Sequence, residues 1–268
     1  MMNRMDQLAE LTAELETKLR LHTHPLGFRR VATLAEVDPS LGWKELDFVA
    51  DGCQYVSLAR TAGLAFVLRE GNVCPCAFAW AMGLVDEPAK EKAQNMVGTW
   101  FKTLDDVLKW REGTPRVPGR MEALLLAPVS RRMFEPEVIL FYGLPEQIVL
   151  VINALQYSGY ERLNFSATGE SSCVDGPHQC YATGKPSLGI PSYGEHWWGG
   201  ARGGELAMAI PAGMMEKVLD GLRALYKTGY RFPIPSTSSE CDENVAMRKM
   251  YGPGKLEARV CSGKSFWE

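Results

Sequence analysis

The chain has no continuous apolar run close to the roughly 20 residues that a membrane helix needs. Its longest, around Ile148 to Leu155, is interrupted by Asn153. The first twenty residues alternate acids and bases in an amphipathic helical pattern, without the apolar stretch of a secretory signal. Charge of one sign is also scarce: 29 Lys and Arg face 32 Asp and Glu, for a net charge of −3. A phosphate backbone is tracked by a basic face, so nucleic acid is not an expected partner. There is no Gly-x-Ser-x-Gly elbow, His-Glu-x-x-His helix or EF-hand loop, and the glycines of 199–204 lack a P-loop lysine. The reading is a cytoplasmic protein with no membrane span.

What is present is enough for a real core. The chain has 268 residues, 46% of them hydrophobic, which suits one large domain or two closely packed subdomains across residues 1–230. Leu8, Leu11, Leu15 and Leu19 recur at helical spacing and predict an amphipathic N-terminal helix. A short strand is expected at Phe28 to Ala32. Asp51 and Gly63 predict the start and stop of a second helix. Leu64 to Leu68 reads as a strand, and Pro75 as the first position of a short helix that Gly83 ends. Residues 89–111 read as two surface helices. Ala123 to Pro128 and Val138 to Gly143 are apolar throughout, as strands covered on both faces are. A helix is expected from Pro145, a strand near Arg162 to Ala167, and a strand-proline-helix unit from Glu205 to Tyr226. The fold class is α/β or α+β, a mixed sheet with packed helices. Residues 231–268, rich in Pro, Gly, Ser and Thr, form a loop-rich C-terminal extension.

Seven cysteines stand at 53, 74, 76, 173, 180, 241 and 261. In a reducing compartment such thiols are inert core residues, metal ligands or redox centres rather than disulfides. Cys53 follows Asp51 and Gly52 into a helical run, Cys74-Pro75-Cys76 opens another, and Cys173 ends a Gly/Ser-rich loop. A helix start presents free amides and the positive end of the macrodipole, which favours thiolate. Closed zinc sites show two close ligand pairs, whereas here one Cys-x-Cys stands alone. That pattern suits three cysteines on an iron–sulfur cluster better than zinc.

Several segments also carry a resemblance. Asp51-Gly52-Cys53-Gln54, Asn72-Val73-Cys74-Pro75 with Ala79 to Leu84, Leu126-Ala127-Pro128 with Phe134-Glu135-Pro136-Glu137-Val138, and Thr183-Gly184-Lys185-Pro186 with Tyr193-Gly194 occur in that order. Together they resemble the prokaryotic family numbered 169 among domains of unknown function, from about residue 10 to 228. The resemblance implies cysteines at positions matching Cys53, Cys74 and Cys173. It also implies one shortly before the Tyr-Gly pair, where this chain has Ser192. It favours Cys74 over Cys76, and its members, many of them from anaerobes, carry no established activity.

The expected function is therefore that of an iron–sulfur protein. Cys53, Cys74 and Cys173 would bind a [4Fe–4S] cluster, with Cys76, His178 and Cys180 as alternative ligands. Three thiolates leave one iron open for reductive or Lewis-acid lyase chemistry on a small organic substrate. Glu195 or His196 would transfer protons, Arg202 would hold a carboxylate, and Trp198 would exclude water. Reduction would need an electron-donor protein, and a homo-oligomer is compatible with the sequence. The competing readings are a non-catalytic accessory module with structural cysteines and a thiol-redox protein using Cys74 and Cys76.

Overall fold

The computed structural model describes residues 3–234. The expected extension beyond residue 234, with Cys241 and Cys261, lies outside the described residues. The N-terminal helix α1 spans Arg4–Leu19 and is capped by Asn3, whose side chain accepts from the Asp6 amide at 2.8 Å. Its four periodic leucines are all buried. Burial of each removes apolar surface worth about 1.5–3 kcal/mol.

The strands are β1 (Leu26–Val31), β2 (Phe66–Arg69), β3 (Ala123–Pro128), β4 (Val138–Gly143), β5 (Ser187–Gly189) and β6 (Leu206–Pro211). They form one sheet in the order β2-β3-β1-β4-β6-β5, antiparallel at every named pairing. Helix and sheet combine as expected, and the pairing directions assign the molecule to α+β within that class. The strand expected near Arg162 to Ala167 does not form. Residues 162–167 carry no strand, and the strand beside β6 is instead β5, with Leu188 opposite Met208.

The period-2 alternation of the strands feeds two cores. On one face, Ile139 and Phe141 of β4 and Met208 and Ile210 of β6 pack with α1, α5 (Pro145–Tyr157) and α8 (Met215–Lys227). On the other, Val138, Leu140 and Tyr142 pack with α2 (Gly52–Ala62), α3 (Ala77–Met82) and α6 (Pro177–Thr183). Both faces are covered, which is why β3 and β4 are apolar at every position. Asp51 and Gly63 bound α2 and Gly83 ends α3, as the sequence predicts. Pro75 differs: it stands before the cap of α3, which is Cys76. The stretch of two expected surface helices holds a 3-10 segment, Lys90–Met96, and α4 (Leu104–Gly113).

Helices α5 and α8 touch through bare backbone. A Cβ on Gly221 would lie 2.7 Å from Ala154 Cα, where neither helix backbone can yield. Gly221→Ala should therefore destabilise the chain by about 1–3 kcal/mol. Gly213→Ala, whose Cβ would meet nothing within 4 Å, should be nearly neutral. Urea midpoints of the two variants check this, and equal midpoints would refute the close helix contact.

Candidate functional site

The site lies on the α2/α3 side of the sheet, where separate cysteine segments are joined by backbone pairing. Ala50 and Val73 form an isolated parallel bridge, and the Cys74 amide donates to the Ala50 carbonyl at 2.8 Å. The starts of α2 and α3 are thereby set side by side. Gly52 completes the join: a Cβ there would lie 2.7 Å from Phe78 Cβ, so only glycine lets α2 sit so close to α3. The third segment is a 3-10 turn at Ser172–Val174 carrying Cys173. It is preceded by Ser171 at φ 60°, a left-handed conformation unusual outside glycine. Asp175 pins this turn by accepting from the Thr168 amide at 2.7 Å and hydroxyl at 2.8 Å.

These segments enclose a cavity of about 410 Å³. Cys53, Cys76 and Cys173 line it, together with Asp51, Glu170 and Glu195; Trp100, Tyr193, Trp197 and Trp198 are also lining residues. A smaller hollow of about 10 Å³ is lined by Cys53, Cys173 and Glu195 together with Leu140 and Tyr142 of β4. The site thus reaches from solvent-exposed aromatics down to the sheet.

Glu195 is the best-held polar group of the cavity. It belongs to α7 (Tyr193–Trp197) and is only 4% exposed. Tyr142 donates to its Oε1 at 3.2 Å, while its Oε2 accepts from the Ser172 hydroxyl and from the Ser192 amide at 3.1 Å. Burial first, then the carboxylate itself, pushes the Tyr142 phenol well up, so it remains a donor. Behind the phenol, the Arg60 guanidinium lies 4.0 Å from the ring centre and pairs with Glu205 at 3.1 Å. Arg60 also donates to the Gly200 carbonyl at 3.0 Å. Gly199 brings the α7 loop against α2, since a Cβ there would lie 2.8 Å from the Glu195 carbonyl and 3.1 Å from Cys53 Cβ.

The structure sorts the residues singled out in the sequence. Cys53, Cys173, Glu195 and Trp198 come together at the cavity, and within the Cys-x-Cys pair it is Cys76, not Cys74, that lines it. His196 and Arg202 are exposed and are not lining residues. The His196 Nδ1–H donates to the Ala201 carbonyl at 2.7 Å, and the Arg202 amide donates to Glu205 at 2.8 Å, so both brace the loop. His178 is fully buried, its Nε2 2.7 Å from the Phe78 carbonyl, and burial lowers its pKa to about 4. Cys180 lies in the core, pushed up to about 12 by burial. Tyr142, Ser172 and Trp100 escaped the sequence reading. Tyr142 alone carried a signal, as the polar-tipped residue near the end of an apolar strand.

The thiols differ in electrostatics. Cys53 is pushed up to about 12, first by burial and then by Asp51, Cys76 and Glu195. Burial likewise pushes Cys173 well up, with Glu195 and the other two thiols adding to it. Cys76 moves the other way, to about 7, chiefly because the Cys74 thiol donates to it and also through the Gly52 amide. That bond pushes Cys74 up. Among the described residues, no group of three or more His, Cys, Asp or Glu side chains is placed to hold a metal ion.

The fold and site define an α+β protein with a thiol-lined cavity. The chain belongs to domain of unknown function family 169, described as uncharacterised ArCR, whose model matches residues 14–221. It is similar to the uncharacterised protein MJ0308 of Methanocaldococcus jannaschii, at 23% identity over 187 residues, covering 68% of this chain and 79% of that protein. No solved structure matches the chain. No helix among the described residues is long and apolar enough to cross a membrane.

The thiol order is open to direct measurement. Thiolate is the alkylated form, so iodoacetamide labelling of metal-free protein should reach half its limiting rate for Cys76 near pH 7. Cys53 should stay unlabelled to above pH 9, because its thiol keeps its proton up to about 12. Mass spectrometry of digests resolves the two, and faster labelling of Cys53 at pH 7 would contradict the assignment.

Proposed function

We propose that this chain is an iron–sulfur protein in which Cys53, Cys76 and Cys173 hold a [4Fe–4S] cluster, and that it is an enzyme acting on a small organic molecule. The observation that carries this reading is that three thiols from three remote segments line one cavity. Cys53, Cys76 and Cys173 would hold such a group through their sulfur atoms. Soft sulfur donors also select iron–sulfur groups over hard cations. When bound by three thiolates, the group supplies an open iron for Lewis-acid or electron-transfer chemistry. Reduction would then draw on an external electron-donor protein.

The protein's own contribution is positioning. Glu195, fixed by Tyr142, Ser172 and Ser192, lies within the cavity wall, where it can hold or move a proton of a bound molecule. The aromatic residues restrict water access beside it. His196 and Arg202 brace the loop that carries Glu195, so their part in this reading is to position it.

One observation supports a second reading, a dithiol redox protein. Cys74 and Cys76 stand two residues apart, and the neighbouring Cys74 thiol holds Cys76 below the usual thiol range, the direction an attacking thiol requires.

Anaerobic purification with iron and sulfide analysis decides between them. The wild-type chain is expected to carry about four irons and four sulfides. Cys53→Ser, Cys76→Ser and Cys173→Ser should each lose most of both, because alkoxide replaces soft thiolate poorly. Cys74→Ser should keep them. Iron-free wild-type protein that interconverts between dithiol and disulfide forms would instead support the second reading. Equal iron in all four variants would overturn the ligand set.

A further inference from the structure

The lining of the cavity has a chemical bias that the cluster reading does not use. Asp51, Glu170 and Glu195 are lining residues, and no Lys, Arg or His is among them. The nearby cation, Arg60, is committed to Glu205 and to the Gly200 carbonyl. Arg202, which the sequence suggested as a carboxylate anchor, is exposed and donates through its backbone to Glu205. An anionic substrate would therefore meet acids with no counter-charge.

Aromatic surface is concentrated at the same place. Trp100, Tyr193, Trp197 and Trp198 are all more than half exposed, at 54%, 75%, 67% and 56%, and all four line the cavity. Tyr193 stacks on Trp197 with ring centres 6.2 Å apart, and Trp197 meets Trp198 edge-on at the same distance. Large aromatic rings left in water beside a cavity are costly unless something covers them. Their negative faces attract cations, most strongly alkylated ammonium groups, which shed water readily. Glu195 adds a carboxyl group at the cavity wall. A carboxylate offers about four acceptor positions, and three donors occupy it here, leaving about one for a ligand in the cavity that Glu195 lines.

We infer that the cavity binds a small organic cation carrying an alkylated ammonium group, held between the Trp and Tyr rim and the Glu195 carboxylate. The inference rests on this cavity being the functional site, as proposed above, and does not require iron to be present. The 410 Å³ volume admits a group of this kind with room to spare.

The test uses anaerobically purified full chain titrated with tetramethylammonium, followed by tryptophan fluorescence and calorimetry at matched ionic strength. Two probes of similar shape serve as comparisons, neutral tert-butanol and anionic pivalate. Tetramethylammonium should bind saturably and at least about tenfold more tightly than either. Trp198→Leu, which keeps an apolar side chain but removes the π face, should weaken it by about tenfold, whereas Trp198→Phe should restore most of the loss. Glu195→Gln should weaken it further, with circular dichroism confirming the fold. Iron and sulfide are assayed in the same samples. Cation binding without iron leaves this inference standing and removes the cluster; iron without cation preference does the reverse. Pivalate binding as tightly as tetramethylammonium, or Trp198→Leu binding like wild type, overturns the inference.

Discussion

A carboxylate taken out of water must find donors or a proton, and the way Glu195 meets that demand organises the site. Its three donors come from β4, from the turn that carries Cys173, and from the cap of α7. Satisfying one buried charge therefore fixes three segments at once. The desolvation penalty of such a group is several kcal/mol, so the arrangement is stable only with every donor in place. Tyr142 is the most demanding of these, because it must stay a donor on an otherwise apolar strand. The Arg60–Glu205 pair behind it supplies an ionic support that is itself buried and tied to the α7 loop.

The rest of the cavity follows from this anchor and from two backbone contacts. The bridge between Ala50 and Val73 places the helix starts of α2 and α3 together, and Gly52 and Gly199 let helix and loop approach at backbone distance. The thiols are thereby confined near acids, and most are pushed toward their protonated forms. Only Cys76 is drawn the other way, by a neighbouring thiol and an amide. The charged side chains that line the cavity, Asp51, Glu170 and Glu195, are all acidic, and the preference for an organic cation draws on this through Glu195 and the aromatic rim.

Local features of the fold were legible in the sequence because they have local causes. The caps at Asp51, Gly63 and Gly83 and the leucine stripe of α1 are written in neighbouring residues. Apolar strands β3 and β4 showed that the sheet is covered on both faces. The cysteine segments could be found, but their order around the cavity could not. Cys74 and Cys76 are two residues apart, and which one lines the cavity depends on how the turn enters α3. Tyr142 and Glu195 are 53 residues apart, and Arg60 and Glu205 are 145 apart. No period or motif links such pairs. The strand expected near 162–167 failed for a similar reason, since strand formation depends on long-range context that local residue preference does not carry.

The central claim is that Cys53, Cys76 and Cys173 together form one sulfur-ligated iron site in this cavity. Iron K-edge X-ray absorption on anaerobically purified chain tests it most directly, because the first shell reports ligand type and the second reports neighbouring iron. The account predicts a shell dominated by sulfur with a clear iron–iron component. Protein without iron, or iron surrounded mainly by oxygen and nitrogen with no iron neighbour, would contradict it.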